Sequence, residues 1–403
     1  RRITGSARAA RTGARCGRST ASWANSRVER LAWPWSFWIL AALAAVAVSA
    51  TSTWLAIGYA RRRRLIDEPG MRRSHSTPTP RGGGIGIVVA VLVCACIPAL
   101  LRPPTSIGAG VTLASAILIV AAAGWIDDHR GLPARARFAA HCVAALVFLM
   151  PVIAAVALVP DAVEARFATS VATVWISLVL VAIGIVWFVN LHNFMDGIDG
   201  ILAAQATFVF AALALLCRRV GEPHAGEVLV FAAAALGFVP FNFPRARVFM
   251  GDVGSGVLGL LIAVAVLWQM SAPDTALASG IVLCSAFVTD ATCTLVSRIA
   301  RGRRWYSAHR EHLYQWLVRS GFSHAGVVAL YMGWNLVIAL PVVAWINRTP
   351  GAWMPIANTN IEVRESNGLG AAAAIYALGV VVWVVGKRRC LAAAHRRRSH
   401  AGA

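Results

Sequence analysis

Residues 167–189 read FATSVATVWISLVLVAIGIVWFV, and residues 190–200 continue NLHNFMDGIDG. The first stretch has no charged side chain in 23 positions. As a helix it is about 35 Å long, enough to cross a hydrocarbon core of about 30 Å. A run apolar on all sides is a membrane helix rather than a strand, because an open strand would leave backbone groups unpaired in lipid. The second stretch places two Asn, one His and two Asp at the end of that helix. A long apolar run that stops at a dense polar cluster is the pattern of the whole chain.

Working outward, eleven such runs are found, at 35–60, 84–101, 107–126, 138–159, 167–189, 200–217, 226–240, 255–270, 277–297, 326–346 and 370–386. The seventh and eighth are short. The expected fold is therefore all-α and polytopic, with about eleven transmembrane helices and an active site built from loops. The composition agrees: 403 residues are 58% hydrophobic and 14% charged, more apolar surface than a soluble domain can hide. A formal charge of +21 on a soluble protein would suggest nucleic acid. Here the arginines lie in loops, so the expected partners are the lipid bilayer and an anionic substrate, with no nucleic acid. The eight cysteines form no CxxC and lie mostly in apolar runs, so they read as packing residues.

Eleven spans put the termini on opposite sides. The loops 61–83, 127–137, 190–199, 241–254 and 298–325, with the tail 387–403, carry 24 Lys and Arg; the other loops carry 6. The positive-inside rule makes the first side cytoplasmic. Residues 1–30 hold eight arginines on the wrong side of this scheme. They are read as a basic, low-complexity, disordered tail outside the natural product and are excluded from the fold. The multi-span domain is 31–386, and 387–403 is a basic cytoplasmic tail.

The cytoplasmic loops concentrate the acids. Asp127 and Asp128 end the third span; adjacent carboxylates repel, which a divalent metal or a proton-transfer role would explain, as would a solvated helix end beside Arg130, Arg135 and Arg137. Within 190–200, Asn190, Asn193, Asp196 and Asp199 could bind Mg²⁺, a base or a ribose, and two glycines permit close backbone approach; the plain alternative is a polar interhelical turn. In NFPRARVFMGDVGSG at 242–256, Arg245 and Arg247 suit phosphate, Asp252 a metal and Phe249 a base; a glycine-rich helix start is the alternative. In RRSHSTPTPRGGG at 72–84, hydroxyls, Arg81 and glycines could cradle a phosphate, whereas Arg61 to Arg64 are a membrane anchor. Arg298, Arg301, Arg303 and Arg304 precede His309 and His312, which share a helix face and could bind pyrophosphate or serve the fold. Asp290 lies inside the ninth span, as a functional acid or as a hydrogen-bond partner for a neighbouring helix.

Together these segments resemble the polyprenyl-phosphate N-acetylhexosamine-1-phosphate transferase family, glycosyltransferase family 4. The likeness runs from about 65 to 317: Pro-Thr-Pro-Arg-Gly-Gly-Gly, the Asp-Asp pair, Asn-x-x-Asn-x-x-Asp-Gly-x-Asp-Gly, Phe-Met-Gly-Asp-x-Gly-Ser and the histidine loop. Each motif alone is weak; five in order are specific.

The resemblance implies a Mg²⁺-dependent enzyme, with Mn²⁺ as an alternative, that transfers a sugar-1-phosphate from a UDP-N-acetylhexosamine to undecaprenyl or another polyprenyl phosphate. UMP is released, and cell-envelope polysaccharide synthesis begins. It implies a multi-pass protein of the bacterial inner membrane, alone or as a homodimer, with its site facing the cytoplasm. By residue, it implies Asp252 and Asn193 as metal ligands. Asp127, Asp128, Asp196, Asp199, His309 and His312 are implied as catalytic, with Asp127 handling the acceptor's proton. Asn190, Asn193, Phe249, Arg81, Arg247 and Arg304 are implied in substrate binding. The pentapeptide transferases carry three consecutive histidines where this chain has His-Arg-Glu-His, which is nearer the O-antigen-initiating type. The rival readings are a secondary transporter of an anionic solute, whose groups would sit near the midplane on repeated helices, and a scaffold with no reason to gather acids at one face.

Overall fold

The computed structural model describes residues 33–68, 77–101, 104–161, 170–219, 223–269, 277–303, 310–348, 352–355, 362–365 and 368–401. The chain divides into two units, Arg1–Pro34 and Trp35–Ala403. The second carries all of the architecture that follows.

It begins with α1 (Trp35–Arg63), ended by three arginines, and a short antiparallel pair, β1 (Ile66–Asp67) with β2 (Thr79–Pro80), in which Ile66 faces Pro80. Then come α2 (Ile85–Leu100), α3 (Pro104–Arg130), α4 (Ala134–Leu158), α5 (Val171–Met195), α6 (Ile201–Arg219), α7 (Ala225–Asn242) and α8 (Asp252–Trp268). The short α9 (Leu277–Leu283) meets α10 (Ser285–Ile299) at a 71° bend. The chain continues through α11 (Leu313–Arg319), α12 (His324–Ile346), the hairpin β3 (Ala352–Pro355) and β4 (Glu362–Glu365), and α13 (Gly368–Ala401).

In each of the eleven apolar runs the described residues are largely helical. Among the described residues, eight helices are long and apolar enough to cross a membrane, and α9 with α10 makes a ninth if the bent pair counts as one span; α2 and α8 are shorter. The eleven expected spans thus become eight or nine of full length. The shortness of α8 has a packing reason. Every residue from Val253 to Val266 is buried, so α8 is a central helix enclosed by protein. Its neighbours α3 and α5 are half open, with Leu118, Ile126, Ile176, Val179 and Leu180 exposed where lipid would lie. The protein is an all-α, multi-pass membrane protein.

The ends follow local chemistry. Ser170 and Ser323 cap α5 and α12 by accepting the backbone N–H of Thr173 (3.3 Å) and Gly326 (3.0 Å). After α3, Gly131 takes the left-handed conformation, φ 71°, and Pro133 starts α4. These stops bring the loops after α1, α3, α5, α7 and α10 to one end of the unit, as the hydrogen bonds below establish.

Candidate active site

The site is assembled on the N-terminus of α8. Gly251 turns the chain there with φ 75°, and a Cβ on it would lie 2.4 Å from an Asp128 carboxylate oxygen. Gly124 does the same from α3: a Cβ there would lie 2.5 Å from the backbone of Asp252 and Val253. Two missing side chains thus let α3 set its terminal acids against the start of α8.

Asp128 is 2% exposed at its side chain and fully engaged. It accepts the backbone N–H of Asp252 (3.0 Å) and of Val253 (3.3 Å), capping α8, and Arg81 Nε lies 2.7 Å away. Arg81 donates its Nη2 to Asp252 Oδ1 (3.0 Å). Arg137, from the first turn of α4, places one Nη1 at 2.7 Å from both Asp252 Oδ2 and Asp127 Oδ2. Asp127 also accepts the N–H of Leu132. The result is an alternating chain of charge, Asp128–Arg81–Asp252–Arg137–Asp127, drawn from three separate loops. Arg81 is steered by the β1–β2 pair, where its N–H is donated to Leu65 (3.0 Å), and by Phe249, whose N–H is donated to Pro80 (2.8 Å).

Asp252 opens into a polar cavity of about 290 Å³, also lined by Arg81, Asn193, Asp196, Asp199, Phe249, Arg310, Gln315 and His324. Asn193 donates to the Ser255 hydroxyl (3.2 Å). Enclosure in this cavity, followed by the negative charge of Asp252, pushes the Asp196 carboxyl up to about 7. Asp199 pairs with His324, whose Nδ1 is 3.2 Å from its Oδ2. The Tyr314 hydroxyl donates to the Phe194 carbonyl (3.0 Å), which ties α11 to the end of α5.

Of the expected residues, Arg81, Asn193, Asp196, Asp199, Phe249 and Asp252 share the cavity, with Asp127 and Asp128 joined to Asp252 at its edge. Others fall elsewhere. Arg247 is exposed, donates to the Pro240 carbonyl (2.6 Å) and stands over the Phe241 ring, so it does not line the cavity. Asn190 turns back on its own helix, donating to Val186 (2.7 Å), and lines an apolar groove instead. His312 is buried against Asp290 (3.9 Å) and stacks on Tyr314, outside the cavity; burial pushes its imidazole pKa down. Asp128 keeps both oxygens on the α8 backbone and Arg81. Arg304 and His309 lie outside the described residues, as do residues 72–76 of the 72–84 cradle. The expectations missed Arg137 as a bridge, treating it only as a counter-charge, and missed His324 entirely. The available signal for His324 was a histidine directly after the Ser323 cap of a span.

Among the described residues, no three His, Cys, Asp or Glu side chains converge on one cation position. The donors facing the cavity are nonetheless hard oxygens: the Asp252, Asp196 and Asp199 carboxylates and the Asn193 amide. Such a set fits Mg²⁺, which keeps waters and is usually held by one or two carboxylates plus substrate phosphates rather than by a protein cage.

The model of glycosyl transferase family 4 matches residues 110–270. A decaprenyl-phosphate N-acetylglucosaminephosphotransferase of Mycobacterium leprae (strain TN) is 31% identical over 339 residues, covering 77% of this chain and 84% of the relative. The protein of that name from Mycolicibacterium smegmatis (strain ATCC 700084 / mc(2)155) is 33% identical over 336 residues, 75% and 82% of the two chains. A phospho-N-acetylmuramoyl-pentapeptide-transferase of Lacticaseibacillus paracasei is 38% identical over 96 residues, 24% of this chain and 30% of its own.

Proposed function

The chain belongs to glycosyl transferase family 4, the polyprenyl-phosphate N-acetylhexosamine-1-phosphate transferases, and from that premise we propose that it moves an N-acetylhexosamine-1-phosphate from a UDP-sugar to a polyprenyl phosphate. A phosphate oxygen of the lipid attacks the β-phosphorus of the donor. The bond from that phosphorus to the bridging oxygen breaks, UMP leaves, and the lipid keeps a pyrophosphate-linked sugar. The observation that carries this reading is the five-member chain of acids and arginines at the edge of a polar cavity beside apolar helices.

Each group has a task suited to its place. Phe249 offers a ring face to uracil, and Asn193 and Asp199 suit the ribose or its phosphates. Arg81 and Arg310 face the pyrophosphate. Asp252, with Asp196 and Asn193, would hold Mg²⁺, which when bound neutralises charge on the pyrophosphate oxygens. Asp127, in the last turn of α3, takes the acceptor's proton, and Arg137 keeps it aligned with Asp252. The apolar groove of about 480 Å³ between α4 and α5, with Asn190 and Phe194 at its polar end, suits the prenyl chain. The surplus of Lys and Arg in the loops at this end supports a cytoplasmic-facing site in a bacterial inner membrane. The first committed step of an envelope polysaccharide, O-antigen among them, is the role this chemistry serves. The names of the mycobacterial relatives make UDP-N-acetylglucosamine the first donor to test.

The test uses purified full-length protein, a panel of labelled UDP-N-acetylhexosamines and undecaprenyl phosphate. Label enters the lipid extract for at least one donor, and UMP appears only when lipid is present. Label in no lipid extract, or label that crosses vesicles instead, overturns the reading. UMP released in a single turnover without lipid replaces direct attack by a covalent aspartyl route.

Asp196 adds a pH dependence. With its pKa raised to about 7, it is protonated below that pH and must lose the proton to bind a cation. The half-saturating Mg²⁺ concentration should therefore rise as pH falls from about 8 to 6, by up to about tenfold per pH unit below the pKa. Asp196→Asn should flatten that slope. A wild-type slope in the variant would remove Asp196 from the cation site.

A further inference from the structure

Lys387, on α13, is only 5% exposed, and its Nζ makes no hydrogen bond. A lysine near the end of a membrane helix ordinarily lays its stem on apolar surface and keeps the ammonium in water. This ammonium instead lies 4.3 Å from the centre of the Trp383 ring. The neighbouring acids are already committed. Asp290 accepts the backbone N–H of Leu313 (2.7 Å) and Tyr314 (3.2 Å), the Tyr331 hydroxyl (2.7 Å), Trp383 Nε1 (3.1 Å) and the Thr294 hydroxyl (3.2 Å). Glu311 is shared by Arg298, Arg303 (2.8 Å) and Arg301 (3.9 Å). Four cations thus face two carboxylates in this corner, and the arrangement calls for an anion.

An apolar cavity of about 240 Å³ adjoins it, between α10, α11, α12 and α13, and Trp383 and Gly386 are part of its wall. Two other wall residues, Leu330 and Val382, are 50% and 45% exposed, so the cavity opens sideways towards the lipid. We propose that this corner binds one anionic glycerophospholipid, its phosphate on the exposed Arg301 and Arg303, within the field of the buried Lys387 ammonium, and part of a chain in the cavity. Charge complementarity selects the phosphate, and the apolar walls select a lipid over free phosphate. The site is distinct from the α4–α5 groove, which lies on other helices.

Native mass spectrometry of the full-length protein in detergent, given equal phosphatidylglycerol and phosphatidylcholine, tests this. One phosphatidylglycerol per chain should be retained in preference to phosphatidylcholine. Lys387→Gln should lower that retention about fivefold, as expected for one basic group against an anionic headgroup, and leave phosphatidylcholine unchanged. The half-exposed pair Arg301→Gln/Arg303→Gln should act in the same direction, and it serves if Lys387→Gln does not fold. Leu330→Trp, which fills the cavity, should also reduce retention, while Arg62→Gln on α1 should not. Undiminished phosphatidylglycerol on the Lys387 and Arg301/Arg303 variants overturns the site. So does displacement by inorganic phosphate alone or, mole for mole, by undecaprenyl phosphate.

Discussion

Asp252→Ala is expected to lower turnover by about three orders of magnitude while the protein still inserts and folds, the loss expected when several kcal/mol of transition-state charge stabilisation are removed. The fold should survive because Asp252 contributes little packing. Its side chain is 14% exposed, and its two partners, Arg81 and Arg137, are each 35% exposed and can turn to water. The helix cap should survive as well, because Asp128 holds the backbone N–H groups of residues 252 and 253, which the substitution leaves in place. Activity should fall with the enzyme saturated in nucleotide, and melting in detergent should move little. Wild-type turnover in this variant would take Asp252 out of the reaction and the proposed site with it.

Arg81→Met should have the second-largest effect, and on both stability and turnover. Arg81 bonds both Asp128 and Asp252. Without it, Asp128 keeps its two backbone donors but loses its cation while staying 2% exposed. Breaking a buried ion pair costs about 3–5 kcal/mol; the partial exposure of Arg81 reduces this to about 2 kcal/mol. Turnover should drop about a hundredfold, because Asp252 then swings on Arg137 alone. Arg81→Lys should recover part of the stability and little of the turnover, since Arg81 reaches Asp128 and Asp252 with two separate nitrogens, Nε and Nη2, and an ammonium has only one nitrogen to set between them. A lysine variant equal to wild type would show that charge alone matters, not the fork.

The helices were legible because membrane insertion is a local demand. About twenty apolar residues in a row leave few other solutions, and the runs at 107–126 and 167–189 became α3 and α5 with boundaries only a few residues away. The buried α8 read as a span for the same reason, since an apolar helix looks alike to lipid and to protein. Side-chain direction is where sequence reasoning failed. Arg247 and Asn190 stand in the right motifs but turn to Pro240 and Val186, and His312 turns to Asp290. His324, in no motif, faces the cavity.

From the sequence alone came the class of fold and the gathering of the acids at the ends of the apolar runs, because hydropathy is a sum over consecutive residues. Which acid caps a helix and which faces the cavity depended on contacts between residues over a hundred positions apart. Asp128 and Asp252 look equivalent as letters. Only the approach of α3 to α8 through Gly124 and Gly251 makes one the anchor and leaves the other facing the cavity.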